Sequence, residues 1–180
     1  MRKLSVTELG RIDVEQYKKS NKLPLTIILD DVRSLYNVGS VFRTSDAFRV
    51  EHIILCGITA TPDNSLVEIH KTALGAEESV EWSYSNDCVS VIKDLNEKGY
   101  TTIAVEQVEG STKMDELIVD SSARYALVLG NEVKGVNQAV VDLCKMSLEI
   151  PQYGTKHSLN VSVTAGLVIW EFFKQLKDLL

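Results

Sequence analysis

The segment YALVLGNEVKGV (125–136) runs from an apolar stretch directly into a polar loop with two glycines. The segment LEIPQYGTKHSLNVSVTAGLVIWE (148–171) repeats this pattern, and DDVRSLYNVGSVFRTSDAF (30–48) is a third segment of the same kind. Each of them places polar side chains directly after an apolar strand. Sites in α/β proteins gather at the carboxyl ends of strands. The three segments therefore predict one composite site.

Hydrophobic patterning outside these segments predicts an alternation of helices and strands. The sequence predicts strands at 25–30, 52–57, 79–83, 100–106, 125–130 and 146–150, and helices at 7–20, after Asn37, and at 64–74, 86–98, 136–143 and 160–178. This order predicts an α/β fold with a mostly parallel sheet and helices on both faces. Residues 107–123 are predicted to lack regular structure. We expect an N-terminal helical extension (1–22) followed by one domain (23–180).

The sequence also predicts three helix boundaries and the orientation of one helix. Thr7 is the expected cap of the first helix, whose Leu9, Ile12 and Tyr17 lie on one face. Asn37 is the expected cap of the second helix, and Gly75 is the expected end of the third. The second helix should turn Arg43 away from its core face, which is formed by Val38, Val41, Phe42 and Ser45.

The predicted last helix, 160–178, is apolar around too much of its circumference for a surface helix. Its apolar residues are Val161, Val163, Ala165, Leu167, Val168, Ile169, Trp170, Phe172 and Phe173. Such a helix needs burial on more than one side, within the fold or against a partner chain.

Composition excludes several classes of protein. The 180 residues are 44% hydrophobic and 24% charged, and the formal net charge of −6 argues against a strong, non-specific polyanion binder. Basic residues nevertheless gather in 1–22 and arginines in 32–49. The three cysteines and three histidines are scattered, so we expect reduced thiols and neither a disulfide framework nor a metal site. No apolar run is long enough to span a membrane and no signal peptide is evident, so we expect a cytoplasmic protein.

The sequence lacks the motifs of the common nucleotide-binding and hydrolase classes. GxGxxG, GxxxxGK[ST] and Gly-x-Ser-x-Gly are all missing. By local chemistry alone, Gly130-Asn131-Glu132 is a tight turn and Ser158-Leu159-Asn160 is a helix cap. Their occurrence in order, each at a strand-to-helix junction, favours a site.

The ordered set of blocks resembles a known family. The patterns N-x-G-x-x-x-R, L-G-N-E-x-x-G and I-P-x-x-G-x-x-x-S-L-N-V-S, between about residues 24 and 174, resemble those of SpoU/TrmH-type RNA methyltransferases in the SPOUT superfamily. The resemblance implies a C-terminal trefoil knot and a homodimer. It also implies S-adenosylmethionine (SAM) as methyl donor and 2′-O-methylation of a ribose in tRNA or rRNA, without a metal.

The resemblance also assigns site residues. It implies a catalytic set of Asn37, Arg43, Glu132, Ser158 and Asn160, and a SAM site near Glu106, Gly130, Asn131, Ile150 and Leu159. In the family Arg43 is the proposed base. A guanidinium is effectively always protonated, so we expect it instead to bind the adjacent phosphate and stabilise the developing alkoxide.

The remaining four catalytic candidates receive supporting roles. Asn37 and Ser158 are expected to orient the ribose or its phosphate. Glu132 is expected to hold Arg43 or another cation in place, and Asn160 to fix the backbone of the knot loop. Two alternatives stay open: a catalytically inactive RNA- or SAM-binding protein of this fold, and a small-molecule enzyme of flavodoxin-like architecture, which would suit the charge of −6.

Overall fold

The computed structural model describes residues 1–180 apart from the side chain of Val6, and its centre is one parallel sheet of seven strands. The strands are β1 (Leu23–Asp30), β2 (Val50–Cys56), β3 (Trp82–Ser85), β4 (Thr101–Val105), β5 (Thr112–Lys113), β6 (Tyr125–Leu129) and β7 (Met146–Glu149). Their order across the sheet is β3-β2-β1-β6-β4-β7-β5, and every named pairing is parallel. The predicted parallel α/β sheet is confirmed.

Helices cover both faces of this sheet, as predicted. They are α1 (Val14–Lys19), α2 (Leu35–Ala47), α3 (Pro62–Ala73), α4 (Ala76–Ser79), α5 (Cys88–Glu97), α6 (Gln138–Val141) and α7 (Val161–Leu176). Leu25, Ile27 and Leu29 of β1 pack in the cluster that includes α2, α3 and α7, whereas Ile28 packs in the cluster with α5 and α6. Burial on both faces explains why the central strand is continuously apolar.

The predicted first helix is wrong as a single element. A 3-10 helix at Val6–Leu9 ends at Gly10, whose φ of 59° is left-handed, and α1 begins only at Val14. The cap is Asp13 rather than Thr7, because the Asp13 carboxylate accepts a hydrogen bond from Gln16 N at 2.7 Å. Tyr17 is buried, but Leu9 and Ile12 are exposed.

Two helix ends also differ from the prediction. Ser34, not Asn37, caps α2: its Oγ accepts a hydrogen bond from Asn37 N at 3.3 Å. The expected core face of α2 is buried and Arg43 is exposed. Helix α3 ends at Ala73, and its left-handed cap is Leu74 (φ 54°) rather than Gly75. Gly75 is also left-handed, with φ of 95°, but it precedes α4.

The segment 107–123 is more ordered than predicted. It contains β5 and a 3-10 helix at Met114–Glu116. The Glu149 carboxylate of β7 fixes β5 by accepting hydrogen bonds from Ser111 Oγ at 2.6 Å and from the Lys113 ammonium. A strand of two residues is too short to show an alternating pattern in the sequence. Its position is set by Glu149, which lies 36 residues after Lys113.

Helix α7 has one buried side and one exposed apolar side. Its buried residues are Val161, Ala165, Val168, Ile169, Phe172 and Leu176. Val163, Leu167 and Trp170 form an exposed stripe along the opposite side, with 51%, 38% and 47% of each residue accessible. In the described part of the chain, no helix has the length and apolarity needed to span a membrane. The trefoil knot stays a prediction.

Candidate functional site

A cleft of about 690 Å³ opens at the carboxyl ends of β4, β6 and β7. Its volume is in the range of small-molecule and cofactor sites. The loops after these three strands form its walls, and the five residues expected near the methyl donor all line it: Glu106, Gly130, Asn131, Ile150 and Leu159. The edge of the sheet that the sequence pointed to therefore carries a cavity of the right size.

The loop after β6 folds tightly over itself at two glycines. Asn131 N donates to Gly135 O at 3.0 Å, and Gly135 N donates to Asn131 O at 2.9 Å. A Cβ on Gly130 would lie 2.2 Å from Gly135 C and 2.3 Å from Val136 N. Side chains cannot approach backbone atoms this closely, so only glycine permits this wall of the cleft.

Two polar side chains of the cleft wall are engaged in holding loops. The Glu106 carboxylate accepts hydrogen bonds from Val136 N at 3.0 Å and from Gln107 N at 2.9 Å. Asn131 Nδ2 donates to Asp31 O at 2.8 Å, which joins the β6 loop to the turn after β1. These residues shape the cleft from the β4 and β6 sides.

Glu132 occupies a position that the sequence did not predict. Its carboxylate accepts hydrogen bonds from Arg33 N at 3.0 Å, Ser34 N at 3.0 Å and Asn37 Nδ2 at 3.1 Å. Burial acts to raise the pKa of Glu132, but these hydrogen bonds outweigh it and lower the pKa below its ordinary value. Glu132 was expected to hold Arg43 or another cation. It instead holds the amino end of α2, where a negative charge is favourable.

Asn160 connects the two long helices of the site. Its Oδ1 caps α7 by accepting hydrogen bonds from Ser162 N at 2.9 Å and Val163 N at 3.4 Å. Its Nδ2 donates to Asn37 Oδ1 at 3.2 Å. The resulting Glu132–Asn37–Asn160 network spans 123 residues of sequence and includes a buried amide, Asn37.

The two remaining catalytic candidates are placed differently. Ser158 is exposed and lines both the main cleft and an adjoining hollow of about 550 Å³. Arg43 is exposed and, among the described residues, is not part of either lining. It lies six residues after Asn37 in α2, which corresponds to about 9 Å along the axis and about 120° around it. The structure therefore brings Asn37, Glu132, Ser158 and Asn160 together but leaves Arg43 apart.

Sequence reasoning missed the turn that precedes α2. Arg33 and Ser34 supply backbone donors to Glu132, and Asp31 supplies the acceptor for Asn131. Ser34, three residues before Asn37, is a residue type that often caps helices, so it could have placed the predicted start of α2 correctly. Within the described residues, no group of His, Cys, Asp and Glu could hold a metal ion.

Comparison with known proteins agrees with this geometry. The chain is 29% identical over 163 residues to the "Putative TrmH family tRNA/rRNA methyltransferase YacO" of Bacillus subtilis, covering 88% of this chain and 61% of the relative. It is 32% identical over 157 residues to the 23S rRNA (guanosine-2′-O-)-methyltransferase RlmB of Neisseria meningitidis, covering 84% and 59%. The chain thus spans about three fifths of the length of these relatives.

A solved structure and a family model give the same assignment. The AdoMet-bound rRNA methyltransferase from Sinorhizobium meliloti superposes with a TM-score of 0.76 at 26% identity, over 91% of this chain and 60% of that one. Residues 24–170 match the model of the SpoU rRNA Methylase family. These residues contain the whole cleft and the network around Glu132, so by both its sequence and its fold the chain belongs to the SpoU rRNA methylase family.

Proposed function

We propose that this protein is a SAM-dependent RNA methyltransferase that acts on a ribose 2′-hydroxyl of tRNA or rRNA. One observation carries the proposal: Glu132, Ser158 and Asn160 line the same cleft as the five residues expected at the methyl donor. Membership in the SpoU family supports it, and so does the similarity to the Neisseria relative, which is named a guanosine-2′-O-methyltransferase.

The cleft suits SAM in size and in chemistry. Its apolar lining offers a surface for the adenine ring and includes Leu129, Val136, Val141, Leu148 and Leu159. Its polar lining offers groups for the ribose and amino acid parts of SAM and includes Gln107, Gln138 and Gln152. The close approach of Gly130 and Gly135 leaves backbone atoms to face a ligand. When bound, SAM supplies an electrophilic methyl group on a sulfonium.

The chain's own contribution to the reaction is position and charge. A ribose hydroxyl is a poor nucleophile that must be aligned with the methyl group and must lose its proton. Ser158 at the cleft mouth orients the ribose, and the Glu132–Asn37–Asn160 network fixes α2 relative to the cleft. Arg43 binds the neighbouring phosphate and stabilises the developing alkoxide. Because Arg43 lies outside the cleft of its own chain, either the bound RNA or a second copy must join the two.

The homodimer and the trefoil knot belong to the same proposal. The stripe of Val163, Leu167 and Trp170 is the apolar surface of α7 that a second copy would cover. Light scattering should therefore give about twice the 20.0 kDa of one chain. Leu167→Glu should shift the mass to that of a monomer, because it places a charge in an apolar contact. A wild-type monomer at micromolar concentration would contradict the dimer.

The activity is tested in two steps. Calorimetry in the presence of a chelator should show SAM binding without RNA. Incubation with SAM and total RNA from a deletion strain should then restore a 2′-O-methyl group, mapped by mass spectrometry of nuclease fragments. Absence of SAM binding would overturn the assignment. SAM binding without methyl transfer to any RNA would point to the inactive binding protein.

A further inference from the structure

The turn between β1 and α2 is held unusually firmly for a surface segment. Asp31 takes a left-handed conformation, with φ of 55°, which costs a non-glycine residue about 1 kcal/mol. Its N–H donates to Cys56 O at 3.2 Å, and its carbonyl accepts from Asn131 Nδ2 at 2.8 Å. The structure thus fixes the first residue of the turn from both neighbouring strands.

The next three residues are fixed in the same way. Val32 is buried, and its N–H donates to Thr59 Oγ1 at 2.9 Å. The N–H groups of Arg33 and Ser34 each donate to the Glu132 carboxylate at 3.0 Å. Every backbone N–H from Asp31 to Ser34 therefore has an assigned partner, while the side chain of Arg33 is exposed.

The carboxylates of this turn are engaged by other donors than the Arg33 side chain. Glu132, which accepts from the Arg33 backbone, is held by three donors, and Asp31, two residues earlier, accepts from Ile58 N at 2.9 Å. In the described part of the chain, neither Arg33 nor the exposed Lys134, two residues after Glu132, forms a salt bridge. The backbone of Arg33 is therefore fixed while its guanidinium is not paired with a protein carboxylate. Such a guanidinium is available to bind an anion.

We propose that Arg33 is a further substrate-binding residue, which contacts an RNA phosphate next to the ribose that enters the cleft. This inference rests on the proposed function and names the contact through which an acidic protein holds a polyanion at this site. The backbone N–H of Arg33 donates to Glu132, which lines the cleft, so Arg33 lies next to the cleft wall. Its role is binding, and it takes no part in proton transfer.

The experiment compares Arg33→Ala and Arg33→Lys with Lys93→Ala, which removes an exposed charge from α5 on the opposite face of the sheet. The probe for binding is bulk tRNA from a deletion strain, titrated at several salt concentrations. Arg33→Ala should raise KM for RNA by about 10- to 100-fold, since the variant loses a charge-assisted hydrogen bond to phosphate. It should reduce the salt slope of binding by about 1, with kcat and SAM affinity unchanged. Arg33→Lys should recover part of the affinity.

The possible outcomes separate this inference from the proposed function. If the wild type transfers methyl groups and Arg33→Ala matches Lys93→Ala in KM and salt slope, the inference alone is wrong. A fall in kcat or in SAM affinity, with KM for RNA unchanged, would also overturn it. If the wild type neither binds tRNA nor methylates RNA, both fail together. Thermal unfolding serves as the folding control, because an exposed side chain should change the Tm little.

Discussion

The two halves of the carboxyl edge of the sheet are built in opposite ways. On the β4–β6–β7 half, the loops stand apart and enclose a cleft of about 690 Å³, with two glycines that allow backbone to approach backbone. On the β1 half, the turn before α2 is closed by hydrogen bonds from its neighbours. The open half has room for a ligand, and the closed half holds side chains in fixed positions around that room.

Glu132 connects these two halves. It lines the cleft and also accepts hydrogen bonds from the amino end of α2. A change in the open half should affect ligand binding and loop closure. A change in the closed half should affect the placement of the acceptor and leave the cleft intact.

Arg43→Ala should give the largest effect on rate. Loss of a charge that stabilises the transition state typically lowers kcat by about 10²–10³-fold, and SAM affinity should stay unchanged because Arg43 lies outside the cleft. Single-turnover methyl transfer and calorimetry measure the two effects. Arg43→Lys should rescue poorly, since an ammonium cannot form the bidentate contact. Near-full activity of Arg43→Lys would contradict the bidentate role.

Pairs of variants sharpen the same prediction and rest on the proposed homodimer. Chains carrying Arg43→Ala and chains carrying Gly130→Ala would be co-expressed with different tags and purified through both tags in turn. Recovery of part of the activity would show that Arg43 serves the cleft of the other copy. No recovery would show that each chain needs its own Arg43.

Gly130→Ala should break the open half. A Cβ at 2.2 Å from Gly135 C forces the loop apart, and such overpacking costs about 1–3 kcal/mol of stability. SAM affinity should fall by at least about tenfold because the displaced atoms form the cleft wall. Gly154→Ala is the matched control: no heavy atom lies within 4 Å of its added Cβ. Equal SAM affinity of the two variants would exclude this account of Gly130.

Glu132→Gln should weaken the connection between the cleft and the amino end of α2. Its carboxylate accepts three hydrogen bonds, and the amide that replaces it can serve only part of them, so we expect a loss of about 1–3 kcal/mol in unfolding free energy. Denaturant titration measures this loss.

The pH dependence of Glu132→Gln tests the cause. Because the folded pKa of Glu132 lies below its ordinary value of 4.5, its stabilising charge is fully present above that value and is lost as the pH falls through the folded pKa. The difference in stability between wild type and Glu132→Gln should therefore shrink on acidification below pH 4.5. A difference that stays constant with pH would show that the charge has no part in it.

Asn160 gives the smallest expected effect and separates its two contacts. Asn160→Ala removes the cap of α7 and should cost about 1 kcal/mol. Asn160→Asp keeps an oxygen for the cap but loses the donor to Asn37 Oδ1. It should therefore keep the helix cap, lower the Tm through the unpaired Asn37 Oδ1 alone, and lower kcat. Unchanged kcat in Asn160→Asp would mean that the link to Asn37 has no catalytic consequence.

Sequence reasoning predicted the strands and the edge of the sheet that carries the cleft because both depend on local pattern. A continuous apolar run such as β1 can exist only where a sheet is covered on both faces, and polar loops after such runs must meet at one edge. It failed at Gly10, at the cap of α2 and in 107–123. There, single hydrogen bonds or contacts distant in sequence decide the structure.

The sequence by itself determined the parallel sheet, the core face of α2 and the loops that form the cleft, since periodicity and residue type encode these directly. Only the tertiary structure decided that Glu132 holds the turn before α2, that Asn37 meets Asn160, and that Arg43 is not part of the cleft lining. Those relations join residues about 95–123 positions apart, and no local pattern specifies which polar group will meet which.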